Sequence, residues 1–204
     1  MLEHRANLDG ELLTALTTLI EAVTLDTGEY NPDIDVATYD QLKASKDPVA
    51  SDAAPKNPAK VQRVPKTALV YHVMKGDKID LIILPIEGKG LWSTLYGFLA
   101  LEKDTTTIRG ITFYQHAETP GLGGEIDNPR WKALWPGRKA YNENWEPAIT
   151  VIKGQAGPPA EAPHKVDGLS GATITARGVG NLVQFWLGDE GFGPYLTKFR
   201  AKGS

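Results

Sequence analysis

A strand–turn–strand pattern lies near the middle of the chain, where residues 68–73 are ALVYHV, residues 75–78 are KGDK and residues 79–83 are IDLII. Both apolar runs are rich in β-branched residues, which favour strands. The Gly-Asp pair between them is typical of a tight turn. We therefore predict a β-hairpin over residues 68–83.

A second hairpin is predicted after the first. Residues 95–101 and 108–114 alternate between apolar and more polar side chains on either side of the turn sequence DTTT at 104–107. Such alternation indicates an antiparallel sheet with one buried face. A further strand is predicted at residues 148–152.

Helices are predicted on both sides of this block of strands. After Asn128-Pro129, a cap followed by a first-turn proline, the aromatic residues to 135 predict a short helix. An apolar stripe at 179–186 predicts a longer helix that ends at Gly188. Upstream, an amphipathic helix is predicted from an acidic cap and apolar residues at helical spacing: Asp9, Leu12, Leu16, Leu19, Ile20 and Val23.

The order of these elements predicts an α+β fold with twisted antiparallel sheets flanked by helices. Residues 31–60 contain four prolines among polar residues, which is typical of an irregular segment. We expect residues 1–60 to form an N-terminal helix and a wrapping segment. We expect residues 61–204 to form the main domain, and the two parts to make one compact unit.

The composition of the 204 residues excludes several classes of function. Lys and Arg number 22 against 25 Asp and Glu, and this net charge of -3 argues against nucleic-acid binding. No cysteine is present and the four histidines lack ligand spacing, so no iron–sulfur cluster or metal site is expected. No apolar run reaches the roughly 18 residues of a membrane span, so we expect the chain as given to lack a membrane anchor.

The sequence DGLSGAT at residues 167–173 directly precedes the predicted long helix. It is a turn of small residues that presents hydroxyl groups at a helix N-terminus. Free backbone N–H groups and the positive end of the helix dipole favour a phosphate there. An ordinary Ser/Thr helix cap is a more frequent use of such a turn, so the motif alone leaves both interpretations open.

Three other segments accompany this motif: GKGLW at 88–92, ETPGLGGE at 118–125 and FWLGDEGFGP at 185–194. Together with DGLSGAT they resemble the C subunits of Na⁺-translocating NADH:quinone oxidoreductases. The motif also resembles the related G subunits of Rnf complexes. The resemblance extends over most of residues 68–199, and its tryptophan-containing segments favour the C subunits of the sodium-pumping complexes.

The resemblance implies a single FMN-binding domain with covalently bound FMN. In that family a flavin transferase moves the FMN moiety of FAD onto the last threonine of the motif, which is Thr173 here, and leaves a phosphodiester. Ser170, Gly171 and Ala172 form the turn around this threonine. Asp167 belongs to the recognition signature.

The chief rival acceptor is Thr175, two residues further on. Because a helix turns about 100° per residue, the two hydroxyls cannot face one phosphate, and the motif favours Thr173. Lys153, at the end of a predicted strand, is a candidate for offsetting the phosphodiester charge, although an exposed lysine without this role is the commoner outcome.

The resemblance also implies which segments border the isoalloxazine ring, namely those around Trp92 and Leu122. Without the resemblance, Trp92 would as readily be a core residue. Gly123 lies in a turn where we expect the backbone to approach the flavin, although the same glycines also suit an ordinary tight turn. Our hypothesis for Glu118 and Thr119 is a hydrogen bond near the pyrimidine or ribityl end that tunes the redox potential.

Taken together, the resemblance implies an electron-carrier subunit of a sodium-pumping complex in the bacterial inner membrane, with its soluble part on the periplasmic side. It would relay single electrons between a metal centre in the D and E membrane subunits and the flavin of the B subunit, with NADH bound elsewhere and no catalytic residue or metal of its own. A flavin transferase would be needed for maturation. The alternatives are a G-type subunit of a ferredoxin-linked Rnf complex and a noncovalent flavin- or phosphate-binding module.

Overall fold

The computed structural model describes residues 16–202 and has an α+β architecture, as predicted. The helices are α1 (Gln41–Lys46), α2 (Pro129–Lys132), α3 (Thr173–Leu187) and α4 (Gly193–Ala201), and a 3-10 helix spans Gly123–Asp127. The strands are β1 (Leu16–Thr24), β2 (Glu29–Tyr30), β3 (Ser51–Ala53), β4 (Arg63–Pro65), β5 (Thr67–Lys75), β6 (Lys78–Lys89), β7 (Thr94–Glu102), β8 (Ile108–Gln115), β9 (Thr150–Val151) and β10 (Lys165–Val166).

The centre of the fold is a six-stranded sheet in the order β2-β1-β5-β6-β7-β8, in which every neighbouring pair is antiparallel. Both predicted hairpins are confirmed, as β5–β6 and β7–β8. The β5–β6 turn contains Gly76, whose φ of 62° suits a residue without Cβ. Two small sheets accompany the large one: β3 pairs antiparallel with β4, and β9 pairs parallel with β10.

One face of the large sheet is buried because its strands alternate. Ile82 and Leu84 on β6, and Leu99 and Leu101 on β7, are fully buried on this face. Helix α3 packs on this face through a buried apolar stripe that includes Trp186. The indole Nε1 of Trp186 donates to the Glu87 carbonyl over 2.7 Å. Each such side chain contributes roughly 1.5–3 kcal/mol by burial.

Helix α3 approaches the sheet backbone closely because glycines stand at the contact. A Cβ at Gly178 would lie 2.4 Å from the Lys89 carbonyl oxygen, and one at Gly88 would lie 2.5 Å from Cβ of Leu182. Neither distance is tolerated between real atoms, so both positions require glycine. The middle of α3 is therefore held firmly against the end of β6.

The predicted N-terminal helix is wrong where the structure describes it. Residues 16–24 form strand β1, which pairs with β5 at nine successive positions from Leu16↔Lys75 to Thr24↔Thr67. The cross-strand pairing outweighs the helical spacing of the leucines, since tertiary contacts override local propensity. Asp9 and Leu12, which opened the predicted helix, lie outside the described residues.

Two other segments differ from expectation. The predicted strand at 148–152 is reduced to the two residues of β9, which lies outside the large sheet and pairs with β10. The segment 31–60 is largely irregular, as predicted, but it includes α1 and β3. The division of the chain at residue 60 stays a prediction, although β1 contributes a strand to the large sheet.

The predicted helices downstream of the sheet are confirmed. The Asn128 side chain caps α2 by accepting from the Arg130 amide over 2.9 Å, and Pro129 stands in the first turn. Helix α3 ends at Leu187, directly before Gly188. Helix α4, which was not predicted, follows at once. No helix among residues 16–202 has the length and apolarity that a membrane crossing requires.

Candidate functional site

The DGLSGAT turn connects strand β10 to helix α3. A Cβ at Gly168 would lie 2.3 Å from the Ile152 carbonyl oxygen, so only glycine lets the turn pass so close to the end of β9. Gly171 has a φ of 72°, in the left-handed region that favours glycine. The two glycines therefore determine how the chain turns into α3.

An open cavity of about 560 Å³ lies beside this turn. Its walls are residues 151–155 at the end of β9, residues 167–171 of the turn, and residues 173, 176 and 177 of α3. Of the predicted site residues, Asp167, Ser170, Gly171, Thr173 and Lys153 line it. The chain thus brings together segments that are separate in sequence.

The two threonines at the start of α3 have opposite environments. Thr173 is exposed and lines the cavity. Thr175 has no exposed surface, and its hydroxyl donates to Oε2 of Glu118 over 2.5 Å. Since two residues correspond to a rotation of about 200° around a helix, the two side chains point to opposite sides. Thr173 is therefore the accessible hydroxyl of the pair.

The first turn of α3 has no side-chain cap. Its N-cap residue is Ala172, which is buried and makes no capping hydrogen bond. The turn is thus not an ordinary Ser/Thr cap, the more frequent alternative for this motif. Its backbone N–H groups remain available for an anion.

Two cationic side chains line the same cavity. Lys153 follows β9, and Arg177 lies one helical turn after Thr173, so Arg177 and Thr173 share a face of α3. Neither cation forms an ion pair with another described residue. Arg177 was not predicted from the sequence, although its spacing of four residues from the motif threonine is a signal for it.

Asp167 holds the turn in place through two hydrogen bonds. Its Oδ1 accepts from the Ala156 amide over 2.8 Å, and its carbonyl oxygen accepts from Nε1 of Trp131 over 2.9 Å. The first bond fixes the loop after β9, and the second connects the turn to α2. Asp167 therefore has a structural role in shaping the cavity.

The Glu118 carboxylate is surrounded by protein donors. The residue is only 5% exposed. Besides Thr175, it accepts from the amides of Leu91, Trp92 and Ser93 over 2.9–3.1 Å. Burial raises the pKa of Glu118, but the hydrogen bonds from Thr175 and the three amides outweigh burial and bring the pKa below its usual 4.5. The carboxylate is therefore ionised at neutral pH.

The segment after Glu118 forms a tight turn that enters the 3-10 helix. The Thr119 carbonyl accepts from the amides of Leu122 and Gly124 over 3.1 and 2.9 Å. Leu122 is 44% exposed, and its Cδ2 lies 3.0 Å from where a Cβ at Gly171 would be. Gly123 stands at the start of the 3-10 helix, next to Glu118 and Thr175. Leu122 and Gly123 therefore lie beside the start of α3, and Thr119 holds the turn that carries them.

Trp92 is not a core residue, since 66% of its surface is exposed. Its amide is bound to Glu118, which also binds α3 through Thr175. The Trp92 loop is thus connected through Glu118 to helix α3, two residues after Thr173. Ile174, the residue after Thr173, is a further large apolar side chain that is 56% exposed.

No group of three or more His, Asp or Glu side chains within residues 16–202 is arranged to hold a metal ion. The functional groups of this region are instead a hydroxyl, uncapped amides, two cations and exposed apolar side chains. Such a set fits an organic phosphate ester that also carries a large apolar ring.

Comparison with known proteins agrees with this chemistry. The model of a family described as the FMN-binding domain matches residues 90–188, a range that contains both the cavity and the Trp92 loop. The C subunit of the Na⁺-translocating NADH-quinone reductase of Pseudomonas aeruginosa is 50% identical over 183 residues, which are 88% of this chain and 70% of that protein. The corresponding protein of Vibrio vulnificus is 51% identical, over 89% of this chain and 71% of its own length.

Two crystal structures have the same fold. Shewanella oneidensis NqrC superposes with a TM-score of 0.84 at 36% identity, covering 90% of this chain and 84% of that one. The C subunit of the Parabacteroides distasonis reductase superposes with a TM-score of 0.66 at 26% identity, covering 89% and 79%. The sequence identity over most of both chains and the shared fold lead to one conclusion: the chain belongs to the family of C subunits of the Na⁺-translocating NADH-quinone reductases.

Proposed function

We propose that Thr173 carries FMN as a phosphodiester and that the chain acts as an electron carrier within its complex. The observation that supports this most directly is the contrast between two neighbouring hydroxyls. Thr173 is exposed on a cavity of about 560 Å³, whereas Thr175 is fully buried and bound to Glu118. Only one of them can meet a bulky reagent from solution.

The groups around Thr173 suit the phosphate. The uncapped amides at the start of α3 and the positive end of the helix dipole favour an anion, and Lys153 and Arg177 supply formal positive charge on the same cavity. A phosphodiester keeps one negative charge. Lys153 and Arg177 together are sufficient to offset that charge without a metal ion.

Attachment is a phosphoryl transfer from FAD. Oγ1 of Thr173 forms a bond to the phosphorus of the FMN moiety, the pyrophosphate bond of FAD breaks, AMP leaves, and the hydroxyl proton is released. A flavin transferase supplies the catalysis in this proposal. Asp167, the carboxylate of the motif, holds the Ala156 amide through Oδ1.

Three exposed apolar side chains suit the isoalloxazine ring in this proposal. Trp92, Leu122 and Ile174 are exposed although each is large and apolar, and Leu122 directly contacts the turn at Gly171. Contact with the ring would remove these side chains from water. In this proposal Thr119 and Gly123 serve by shaping the turn that presents Leu122.

When bound, FMN accepts and donates single electrons, and the ester prevents its loss to solvent. The chain's own contribution is to fix the attachment point on the buried helix α3 and to leave one side of the site open to a partner. We propose that its partners are the B-subunit flavoprotein and the D and E membrane subunits, on the periplasmic side of the inner membrane. Family membership favours this assignment over a G-type Rnf subunit.

A noncovalent flavin-binding module remains the competing interpretation, and attachment chemistry decides between the two. The chain is coexpressed with a flavin transferase, denatured, and analysed by intact mass and by visible absorption. The expected result is a mass gain of one FMN minus water, with the yellow colour retained on the denatured chain. Colour that separates from the denatured chain would support the noncovalent module.

Matched variants test which hydroxyl reacts. Thr173→Ala should abolish the adduct, and Ser170→Ala, which removes a neighbouring hydroxyl from the same turn, should retain it. Peptide mapping of the wild-type adduct should place it on the peptide that contains Thr173. An adduct on Ser170, or one that survives in Thr173→Ala, would overturn the assignment.

A further inference from the structure

We propose that Glu118 is a positioning residue that fastens the loop carrying Trp92 to the start of helix α3, so that the ring-facing indole and the attachment hydroxyl of Thr173 keep a fixed relative position. This inference rests on the proposed function. It replaces the hypothesis that Glu118 itself bonds to the flavin.

The first argument is the number of donors on the carboxylate. Oε1 accepts from the amides of Trp92 and Ser93 over 2.9 and 3.1 Å, and from Oγ of Ser93 over 3.3 Å. Oε2 accepts from the Leu91 amide over 3.1 Å and from Thr175 over 2.5 Å. A carboxylate has about four lone-pair positions, so these contacts leave none for a ligand.

The second argument is the enclosure of the carboxylate. A Cβ at Gly90 would lie 2.6 Å from Oε1, and one at Gly123 would lie 2.7 Å from Oε2. Glycine at both positions allows the backbone to surround Glu118. Because the group is also almost completely buried, it cannot turn outward to meet a flavin.

The third argument is where the donors come from. Leu91, Trp92 and Ser93 belong to the loop between β6 and β7, whereas Thr175 belongs to α3, far later in the chain. Ser93 also connects the loop to the residue before Glu118, because its Oγ accepts from the Ala117 amide over 2.8 Å. Glu118 is thus a single group that joins two separate parts of the candidate site.

The fourth argument concerns what this connection fixes. The backbone of Trp92 is bound while its indole stays exposed, so the loop's position decides where the indole lies. On the helix, Thr175 faces Glu118 and sets the rotation of the first turn, which directs Thr173 to the opposite side. Packing of Gly178 on Lys89 holds the helix against the sheet, and the hydrogen bonds of Glu118 add a direct connection between the Trp92 loop and the first turn of α3.

The test compares wild type with Glu118→Gln, which keeps the size of the side chain but points an NH₂ group at donors. Hydrogen exchange is measured on the flavin-free protein, so the result does not depend on Thr173 being modified. We expect the amides of residues 91–93 to exchange at least about tenfold faster in Glu118→Gln, while the amides of β6 and β7 change less than about twofold. Glu143→Gln, on an exposed loop, is the matched control and should leave exchange unchanged.

The second readout uses the protein matured with a flavin transferase. Flavin fluorescence per covalently bound FMN should rise severalfold in Glu118→Gln, because an indole that no longer keeps its place quenches the ring less. Thr175→Val should produce part of this rise, and Thr175→Ser, which retains the hydroxyl, should restore the wild-type value. The difference between Thr175→Val and Thr175→Ser separates the hydroxyl contact to Glu118 from the packing of the side chain.

Two results would overturn the inference. One is unchanged exchange of residues 91–93 in Glu118→Gln, and the other is faster exchange that is uniform over the whole sheet, which would indicate general destabilisation. Failure of the proposed function has a different signature: wild type would gain no covalent FMN, while the exchange experiment would still report on the Glu118 contacts.

Discussion

The buried histidine His72 should make the stability of the fold depend on pH. It lies on β5 with no exposed surface, and its Nε2 is 2.6 Å from the hydroxyl of Tyr195. Its Nδ1 is 2.9 Å from Oε2 of Glu21, without hydrogen-bond geometry. Burial lowers the pKa of His72 from 6.5 to about 4. Burial raises the pKa of the neighbouring Glu21 carboxyl as well.

The sign of the effect follows from proton binding. Because the folded-state pKa of His72 is depressed, the unfolded chain binds the proton more readily, and stability that is present above pH 6.5 is lost as the pH falls towards 4. The shift corresponds to roughly 3 kcal/mol at its limit. About 2 kcal/mol of this should be lost between about pH 7.5 and about pH 5.

Urea unfolding of wild type and two variants at these two pH values measures the effect. His72→Gln will lower stability at both pH values because it replaces a packed ring, so the informative quantity is the change with pH within each protein. That change should be smaller in His72→Gln than in wild type by about 2 kcal/mol. His164→Gln, at a less enclosed ring, should keep most of the wild-type change.

Equal pH dependence in His72→Gln and wild type would refute this reasoning. If His72→Gln fails to fold, the titration of the His72 ring followed by NMR in wild type replaces it. A midpoint at or above the ordinary histidine value of 6.5 would then show that burial does not control this group.

Two further predictions concern helix α3. Gly178→Ala places a Cβ 2.4 Å from the Lys89 carbonyl oxygen, so α3 must shift, and the free energy of unfolding in urea titrations should fall by about 1–3 kcal/mol. Gly110→Ala is the control, because no atom lies near its Cβ. Equal losses in the two variants would contradict the packing argument. Arg177→Met should slow FMN attachment several-fold at low ionic strength and less at high salt, as followed by intact mass over time. Arg109→Met, at an exposed position of β8, is the control and should leave the rate unchanged; a loss that is independent of salt would exclude the electrostatic role.

The parts of the fold that were predicted correctly are those with local signals. The β5–β6 and β7–β8 hairpins have short turns between apolar runs, and each pairs with its neighbour in sequence. The cap of α2 and the glycine after α3 are also local. Neighbouring residues determine all of these features, so the sequence pattern is sufficient to find them.

The predictions were wrong where pairing between residues far apart in sequence determines the structure. Strand β1 has leucines at helical spacing, yet it pairs along its whole length with β5, which lies much later in the chain. The predicted strand near 150 meets β10 rather than the large sheet, which leaves it two residues long. Helix α4 has a proline in its first turn, which is a local signal for the start of a helix.

The candidate site likewise has parts that the local sequence predicts and parts that it does not. The attachment turn could be located from seven consecutive residues, because glycine, hydroxyl and helix start lie together in the chain. The contact between Glu118 and Thr175 joins residues 57 positions apart, and no local pattern indicates it. Arg177 is an intermediate case. Its spacing from Thr173 can be read from the sequence, but its position on the cavity cannot.

The opposite environments of Thr173 and Thr175 have a consequence for the order of maturation. In an unfolded chain both hydroxyls would be equally open, and an enzyme would have only the neighbouring residues by which to choose between them. Once α3 has packed, one hydroxyl has been withdrawn into the interior and the other has been left at the surface. If the chain folds before it is modified, the fold itself therefore selects the Thr173 hydroxyl, in addition to any selection by the enzyme.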